Sequence, residues 1–355
     1  MRYRLMGRSG LRVSELCLGT MTFGEDWGWG ASKEECARIL DAFGEAGGNF
    51  LDTANAYTNG SSEKIVGELI SSERERWVVG TKFAGSTRAG DPNGGGSHRK
   101  SMVQSLEASL RRLGADYIDV YWVHIWDVFT PVEEVMRALD DLVRAGKVLY
   151  VGISDTPAWI VAQANTLAEL RGWTPFVGLQ VPYSLIERTP ERELLPMARA
   201  LDLAVTTWGP LGGGLLTGRH GTGWQGNAEG TRLGSNIARR GAENVLTDRA
   251  TKIADAVNEL AAERDATSTQ VAIAWVMAQQ ERSVVIPVLG ARSREQISDN
   301  LLAADLKLTA EEIGRLEEAS RIDAGFPHDF HGRDLVYGGT YSLTDGHRPH
   351  IWPDL

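Results

Sequence analysis

The sequence predicts an α/β protein, a (β/α)8 TIM barrel, on three observations. Short apolar segments that end in polar residues alternate with amphipathic segments of helical length, which is typical of repeated strand–helix units. Eight such strands occur with no sign of chain reversal, more than a doubly wound sheet usually has, and no G-x-G-x-x-G motif opens a helix. The predicted strands span residues 16–20, 49–53, 77–81, 117–124, 149–154, 177–181, 204–208 and 284–287.

The segments between the strands carry apolar residues at helical spacing. The predicted helices span residues 33–46, 63–70, 99–113, 132–145, 158–170, 191–201 and 248–279. The last is long enough to be two helices, with a break near 265–268. A length of 355 residues fits either two ordinary domains or one barrel. Given the strand count, we predict one barrel domain over residues 1–320.

The remaining residues, 321–355, are rich in Gly, His, Pro and aromatic residues. We predict a C-terminal tail that is ordered against the barrel or forms an interface. Two glycine-rich segments, 83–97 and 209–246, follow predicted strands. On a barrel both would overhang the face where the carboxyl ends of the strands meet, so they are candidate walls or lids of a site.

Composition and charge narrow the class of protein. The apolar fraction of 42% and the charged fraction of 24% are those of a soluble globular protein. A net charge of −10 argues against nucleic-acid or anionic-membrane partners. The sequence shows no apolar signal segment and no run of about 18 apolar residues, which favours a cytoplasmic protein. Cys17 and Cys36 lack metal-ligand spacing, so we expect buried reduced thiols and no metal site.

Four polar side chains lie at or just beyond the ends of strands two, three and four, and together they suggest a catalytic group. Reduction of a carbonyl by a nicotinamide needs a proton donor, and a phenol with a pKa of about 10 needs a nearby cation to serve as one. A carboxylate can hold that cation, and a neutral imidazole can position the substrate oxygen. Tyr57, Lys82, Asp52 and His124 supply this set. Each alone is more often structural, and Asp52 could cap a turn, but their joint placement favours a catalytic group.

Four stretches, one with Asp52 and Tyr57 and another ending in His124, resemble the aldo-keto reductase family, and the match runs from about residue 3 to 319. They read GRSGLRVSELCLGTMTFG, DTANAYTNGSSEKIVG, SLEASLRRLGADYIDVYWVH and IPVLGARSREQISDN. The resemblance implies that Tyr57 is the general acid, that Lys82 lowers its pKa, that Asp52 pairs with Lys82 and that His124 orients the carbonyl. It also implies an N-terminal β-hairpin before residue 16 that closes the bottom of the barrel.

The resemblance further implies NADPH/NADP as cofactor, with use of NADH left open. It places the carboxamide at Ser154, Asp155 and Gln180 and stacks the nicotinamide on Trp208. Asparagine is usual at position 155, and because an aspartate can accept but not donate a hydrogen bond, this contact is expected to be altered.

At the other end of the cofactor, the resemblance places the segment WGPLGGGLLTGR over the pyrophosphate. Arg219 and Arg232 could add positive charge or belong to a solvated loop. Arg292, after strand eight at a helix start, would bind the 2′-phosphate and favour NADPH. The predicted cofactor-binding residues are Thr20, Met21, Asp52, Ser154, Asp155, Gln180, Trp208, Gly209, Pro210, Leu211, Gly213, Arg219, Arg232, Gly290, Arg292, Gln296, Asp299 and Asn300.

Aromatic residues could line the mouth of the site. Phe23, Trp27 and Trp126 either contact substrate or pack loops onto the barrel. We expect a small-molecule carbonyl or alcohol as substrate.

Two other functions compete with reversible NADPH-dependent carbonyl reduction. A cofactor-holding sensor or auxiliary subunit would bind NADPH tightly with little turnover. A barrel hydrolase or isomerase would use Asp52 and His124 without nicotinamide, and would leave Trp208 and segment 290–300 unexplained.

Overall fold

The computed structural model describes residues 1–218, 233–234, 237–238, 241–331 and 338–340. The strands are β1 Tyr3–Leu5, β2 Arg12–Ser14, β3 Cys17–Gly19, β4 Phe50–Asp52, β5 Val78–Phe83, β6 Ile118–Val123, β7 Val148–Ser154, β8 Phe176–Pro182, β9 Ala204–Trp208 and β10 Val285–Gly290. Strands β3 to β10 close into a barrel of eight parallel strands in the order β10-β3-β4-β5-β6-β7-β8-β9.

Helices follow the barrel strands along the chain. The α-helices are α1 Lys33–Glu45, α2 Ser61–Ile70, α3 Arg99–Leu113, α4 Val132–Arg144, α5 Ala158–Arg171, α6 Leu194–Ala200, α7 Ala242–Val245, α8 Asp248–Glu263, α9 Ser268–Ala278, α10 Arg294–Leu301, α11 Ala310–Ser320 and α12 His328–His331. The 3-10 turns are Tyr57–Gly60, Ser71–Arg76, Thr189–Glu191, Gly212–Gly214, Gln279–Glu281 and Leu302–Ala304.

The predicted barrel is confirmed, with differences at the ends of elements. Pairing with β6 extends β5 to Phe83, so Lys82 lies inside the strand and not beyond it, whereas His124 lies just outside β6. The predicted break near residues 265–268 is also present, because Thr267 starts α9 with a capping box. The predicted helix 191–201 is shorter in the structure, since the proline of α6, Pro196, is accommodated only in a first helical turn.

The N-terminal hairpin closes the bottom of the barrel. Strands β1 and β2 pair antiparallel, and Met6, at the turn between them, is fully buried in a cluster with residues of the barrel strands. Gly7 has φ of +55°, and a Cβ atom there would lie 2.3 Å from the carbonyl oxygen of Val177. Only glycine therefore lets the hairpin approach this closely.

The interior of the barrel is filled by a tryptophan. Trp122 of β6 is fully buried, and glycines on three other strands make room for its indole. A Cβ atom at Gly80, Gly152 or Gly178 would lie 2.7, 2.3 or 2.8 Å from an indole atom. The lower half of the barrel is thus a packed core, and a site has to lie at the opposite end, where the strands terminate.

The first part of the predicted tail contacts the barrel domain. The guanidinium of Arg192 donates to the carbonyl oxygen of Asp323, and buried His328 lies 3.3 Å from the carboxylate of Glu193. Residues 332–337 and 341–355 lie outside the described part of the chain, so the domain division stays a prediction. Among the described residues, none of the helices has the length and apolar character needed to span a bilayer. Cys17 and Cys36 are buried free thiols, as expected.

Candidate active site

A buried ion pair joins the ends of two neighbouring strands. Asp52 is the last residue of β4, and Lys82 lies one residue before the end of β5. Lys82 Nζ donates to Asp52 Oδ2 at 2.5 Å and to the carbonyl oxygen of Thr53 at 2.9 Å, and its side chain is fully buried. A buried ammonium is stable only when such partners replace the water it has lost.

The phenol of Tyr57 reaches the same ammonium from the loop after β4. Lys82 Nζ donates to Tyr57 Oη at 3.1 Å and lies 4.8 Å from the ring centroid. Burial lowers the pKa of Lys82, but the charges and hydrogen bonds of Asp52 and Tyr57 outweigh burial, and the net pKa lies above its usual value. Lys82 is therefore a cation at every physiological pH.

A strained turn fixes the position of Tyr57. Thr58 and Asn59, which follow it, have φ of +44° and +55°, a left-handed conformation that costs a β-branched residue most. Buried hydrogen bonds hold the turn, because Thr58 Oγ1 donates to the carbonyl oxygen of Phe23 at 2.8 Å and accepts from the backbone N of Ser62 at 2.9 Å. The phenol therefore reaches Lys82 from a turn and not from a strand or an α-helix.

His124 completes the group from the end of β6. Its backbone N donates to the carbonyl oxygen of Phe83 at 3.0 Å, and its ring meets Tyr57 edge-on, with centroids 5.9 Å apart. Burial, with a smaller contribution from the charge of Lys82, lowers the pKa of His124 from 6.5 to about 3. The imidazole is therefore neutral at physiological pH and offers one donor and one acceptor nitrogen.

Gln180 of β8 hydrogen-bonds to the second carboxylate oxygen of Asp52. Its Nε2 donates to Asp52 Oδ1 at 3.1 Å and to Thr206 Oγ1 at 3.2 Å. The structure thus brings all four predicted catalytic residues, Asp52, Tyr57, Lys82 and His124, to one end of the barrel. Sequence reasoning missed the supporting threonines at 53, 58 and 206, although Thr53 and Thr58 flank the predicted catalytic residues directly.

The model of the aldo/keto reductase family matches residues 15–321. The chain belongs to the aldo/keto reductase family. It is 40% identical over 350 residues to an aryl-alcohol dehydrogenase of Pestalotiopsis microspora, covering 95% of this chain and 86% of the relative. The resemblance to this family that the sequence motifs indicated is confirmed.

Two further relatives are similar over nearly the whole chain. A norsolorinic acid reductase of Aspergillus flavus is 38% identical over 338 residues, covering 92% of this chain and 82% of the relative. An aldo-keto reductase of Aspergillus calidoustus is 38% identical over 347 residues, covering 94% of this chain and 85% of the relative. This aldo/keto reductase therefore belongs to a family of oxidoreductases, and nicotinamide cofactors are general in that family.

The predicted nicotinamide end of this aldo/keto reductase has groups that fit such a ring. Trp208, the last residue of β9, is 37% exposed, although large apolar rings are usually buried. Its Nε1 donates to Asp155 Oδ1 at 3.2 Å. Ser154 and Gln180 lie buried at the ends of the neighbouring strands β7 and β8. An apolar face thus stands beside amide and carboxylate groups, the chemistry that a nicotinamide carboxamide requires.

The predicted pyrophosphate loop begins directly after β9. Gly209, Gly212, Gly213 and Gly214 all have positive φ, a conformation that glycine adopts without strain and that brings the backbone of this loop to the surface without Cβ atoms. Pro210 is buried, and Leu211 packs against the core, so the loop is anchored at its start. Arg219 and Arg232 lie outside the described residues.

The predicted phosphate and adenine end lies at the start of α10. Gly290 ends β10 with open space at its Cβ position, and exposed Arg292 precedes the helix, where its backbone N donates to Gln296 Oε1 at 2.8 Å. Asp299 accepts from Gln270 Nε2 at 2.6 Å. The remaining residue, Asn300, is buried and donates to the carbonyl oxygen of Gly290 at 3.4 Å. Arg292 thus lies exposed just before the N-terminus of α10.

The other predicted contacts differ in accessibility. Buried Thr20 bonds to the carbonyl oxygen of Asp52, and Met21 beside it is half-buried. Phe23 is fully buried, so its ring offers no surface to a substrate in this conformation, whereas Trp27 is 37% exposed. Trp126 is half-buried against the core. In the same loop, three apolar residues are exposed, namely Ile125, Val128 and Phe129.

Proposed function

We propose that this protein is an NADPH-dependent carbonyl reductase that works reversibly, with Tyr57 as the general acid. The observation that carries the proposal is the continuous contact from Asp52 through Lys82 to the phenol of Tyr57, with neutral His124 against the same ring. A bound nicotinamide would supply the hydride in reduction and take it up in oxidation.

Lys82 prepares the phenol for proton transfer. Because Tyr57 raises the pKa of Lys82 and the coupling between two groups is reciprocal, the ammonium favours the ionised phenol in turn. The ammonium cannot give up its proton easily while Asp52 is bound to it. In reduction, Tyr57 donates its proton to the carbonyl oxygen while Lys82 stabilises the phenolate that remains.

His124 orients the substrate. A neutral imidazole beside the phenol donates one hydrogen bond to the carbonyl oxygen and adds no charge that would oppose Lys82. The oxygen is thereby held between the proton donor and the imidazole, as acid catalysis requires.

The groups described above would hold the cofactor along the carboxyl ends of the strands. The Trp208 face and Ser154, Asp155 and Gln180 would take the nicotinamide, and the glycines after β9 the pyrophosphate. A guanidinium at Arg292 supports preference for NADPH, because the 2′-phosphate present in NADPH is absent from NADH.

An aromatic carbonyl or the corresponding benzylic alcohol is the proposed substrate class. Two of the three relatives named above are an aryl-alcohol dehydrogenase and a norsolorinic acid reductase. The exposed apolar side chains after β6, together with Trp27 and Trp208, offer flat surfaces on which an aromatic ring would pack.

The test compares wild type with Tyr57→Phe and, as a matched control, Tyr3→Phe. Consumption of NADPH or NADH is followed by absorbance with a panel of aryl aldehydes, quinones and keto-sugars. Tyr57→Phe should lose about 10²- to 10⁴-fold in kcat, about 3 kcal/mol or more, and keep its cofactor affinity. The Tyr3 hydroxyl binds the carbonyl oxygen of Gly47 on the hairpin side, so Tyr3→Phe should turn over normally.

Near-normal turnover by Tyr57→Phe would remove Tyr57 from the acid role. Tight NADPH binding by wild type with no turnover on any member of the panel would favour the sensor function. Equal rates with NADPH and NADH would contradict the assigned preference.

A further inference from the structure

Asp155 places a carboxylate beside the reaction centre. It follows β7 directly, and its backbone N donates to the carbonyl oxygen of Gln180 at 3.2 Å. Its φ of +42° lies in the left-handed region, which aspartate and asparagine tolerate best after glycine. Since the Gln180 side chain binds Asp52, the backbone of Asp155 is tied to the strand that orients the catalytic carboxylate.

The side chain of Asp155 is held by an indole and not by a cation. Trp208 Nε1 donates to Asp155 Oδ1 at 3.2 Å, and both side chains are partly exposed at the carboxyl end of the barrel. Within the described part of the chain, no lysine or arginine forms an ion pair with Asp155. The charge of Lys82 reaches it, but Lys82 is already bound to Asp52. The negative charge of Asp155 is therefore only partly compensated.

We propose that Asp155 makes the site bind the oxidised, cationic nicotinamide more tightly relative to the neutral, reduced form than an amide at this position would. The inference rests on the proposed function, because that function places the nicotinamide ring on Trp208. A carboxylate bonded to the indole lies within a few ångströms of a ring stacked on it. At that distance a carboxylate attracts a cationic ring and not a neutral one.

This discrimination acts on the equilibrium of the bound reactants. Carbonyl, reduced cofactor and a proton are converted to alcohol and oxidised cofactor, with the hydride going to the carbonyl carbon and the proton to its oxygen. Stabilising the oxidised cofactor displaces that equilibrium toward the alcohol. Asp155 thus helps to set which direction of the reaction is favoured at this site. Through its hydrogen bond it also positions the indole of Trp208.

The test measures the dissociation constants of NADP⁺ and NADPH without substrate, by calorimetry at about pH 8, where a carboxylate is ionised even if burial raises its pKa. Asp155→Asn keeps an oxygen that can accept from Trp208 and tolerates positive φ; it removes the charge and adds an N–H donor, but the carboxamide that this donor would meet is the same in both forms of the cofactor, so the ratio of the two constants reports the charge. Asp155→Gly is the second variant, since glycine also adopts this backbone. Asp41→Asn, an exposed carboxylate on α1, removes the same charge far from the site.

Wild type should prefer NADP⁺ more strongly than Asp155→Asn does, by about tenfold in the ratio of the two constants. Asp155→Gly should change the ratio in the same direction, and Asp41→Asn should leave it unchanged. An equal change in both affinities, or no change, in Asp155→Asn would overturn the inference while leaving the reductase proposal intact. Failure of wild type to bind either form would overturn both.

Discussion

Lys82 shows what a single buried charge requires from its neighbours. Its ammonium has three hydrogens, and the structure supplies an acceptor for each, namely the Asp52 carboxylate, the Thr53 carbonyl and the Tyr57 phenol. Because one of those acceptors is the proposed acid, the same contacts that make burial tolerable also prepare the phenol for proton transfer. Stability and chemistry depend on the same atoms at this residue.

His124 should make stability depend on pH. Its pKa is about 3 in the folded protein and 6.5 for an ordinary histidine, so between these values the unfolded chain binds the additional proton. The free energy of unfolding therefore falls as pH falls through this window, by about 1.4 kcal/mol per pH unit from this group alone. In His124→Gln, the free energy of unfolding, measured with urea between about pH 4 and 6, should depend less steeply on pH than in wild type. The difference should correspond to about one proton fewer taken up on unfolding.

A direct measurement checks the same residue. The ring carbon-bound protons of His124 should show no titration in NMR spectra above about pH 5. A midpoint near that of free histidine would contradict a buried neutral imidazole.

At the scale of elements, helices α2 and α3 pack closely enough to hold the turn that carries Tyr57. Fully buried Glu63 of α2 accepts from Thr81 Oγ1 of β5 and from Arg112 Nε of α3, both at 2.6 Å. Gly67, one turn further along α2, lies against the end of α3. The two helices and the strand of Lys82 are therefore fixed as one unit, which sets where α2 begins and where Tyr57 lies.

Gly67→Ala should separate these helices. A Cβ atom there would lie 2.3 Å from the carbonyl oxygen of Leu113, which is backbone and cannot move alone. We expect a loss of about 1–3 kcal/mol in the free energy of unfolding, although alanine is the better helix former. The control is Gly314→Ala in α11, where nothing lies within 4 Å and a gain of about 0.5–1 kcal/mol is expected. Equal effects of the two substitutions in urea unfolding would refute the close contact.

At the scale of the whole molecule, the two ends of the barrel have different tasks. The bottom is closed by the hairpin, with Met6 buried among the strands and Trp122 above it. The top carries the proposed catalytic group, Asp155 and Trp208. The packed apolar interior thus lies toward the bottom, and the chemistry can vary with the loops at the top.

Met6→Ala should destabilise the protein without altering its chemistry. Met6 is fully buried, so the substitution leaves a cavity and should cost about 2–5 kcal/mol in chemical unfolding. Leu5→Ala, next to it on the hairpin and 52% exposed, should change stability by less than about 0.5 kcal/mol. Turnover per folded molecule should be normal in both variants. A loss of kcat in folded Met6→Ala would show that the bottom of the barrel affects the site.

Local sequence pattern was sufficient to predict the eight barrel strands, most of the helices and the family. Strand–helix alternation depends on neighbouring residues, and the family's motifs are contiguous, so both can be recognised from short stretches of sequence. Asp52, Tyr57, Lys82 and His124 were found because each follows or ends a strand, and parallel barrel strands bring those ends together. The structure brings these four side chains into contact, whereas their roles remain proposals.

Other features depended on contacts between residues far apart in the chain. Gln180 binds Asp52 across 128 residues, and Trp208 binds Asp155 across 53. The burial of Phe23 and the left-handed turn at Thr58 likewise follow from packing of the loop after β3 against the loop after β4. The sequence by itself thus determined which elements form, because hydrophobic periodicity is local. Only the tertiary structure decided which polar atoms meet, because a buried polar group takes whichever partner the packing brings to it.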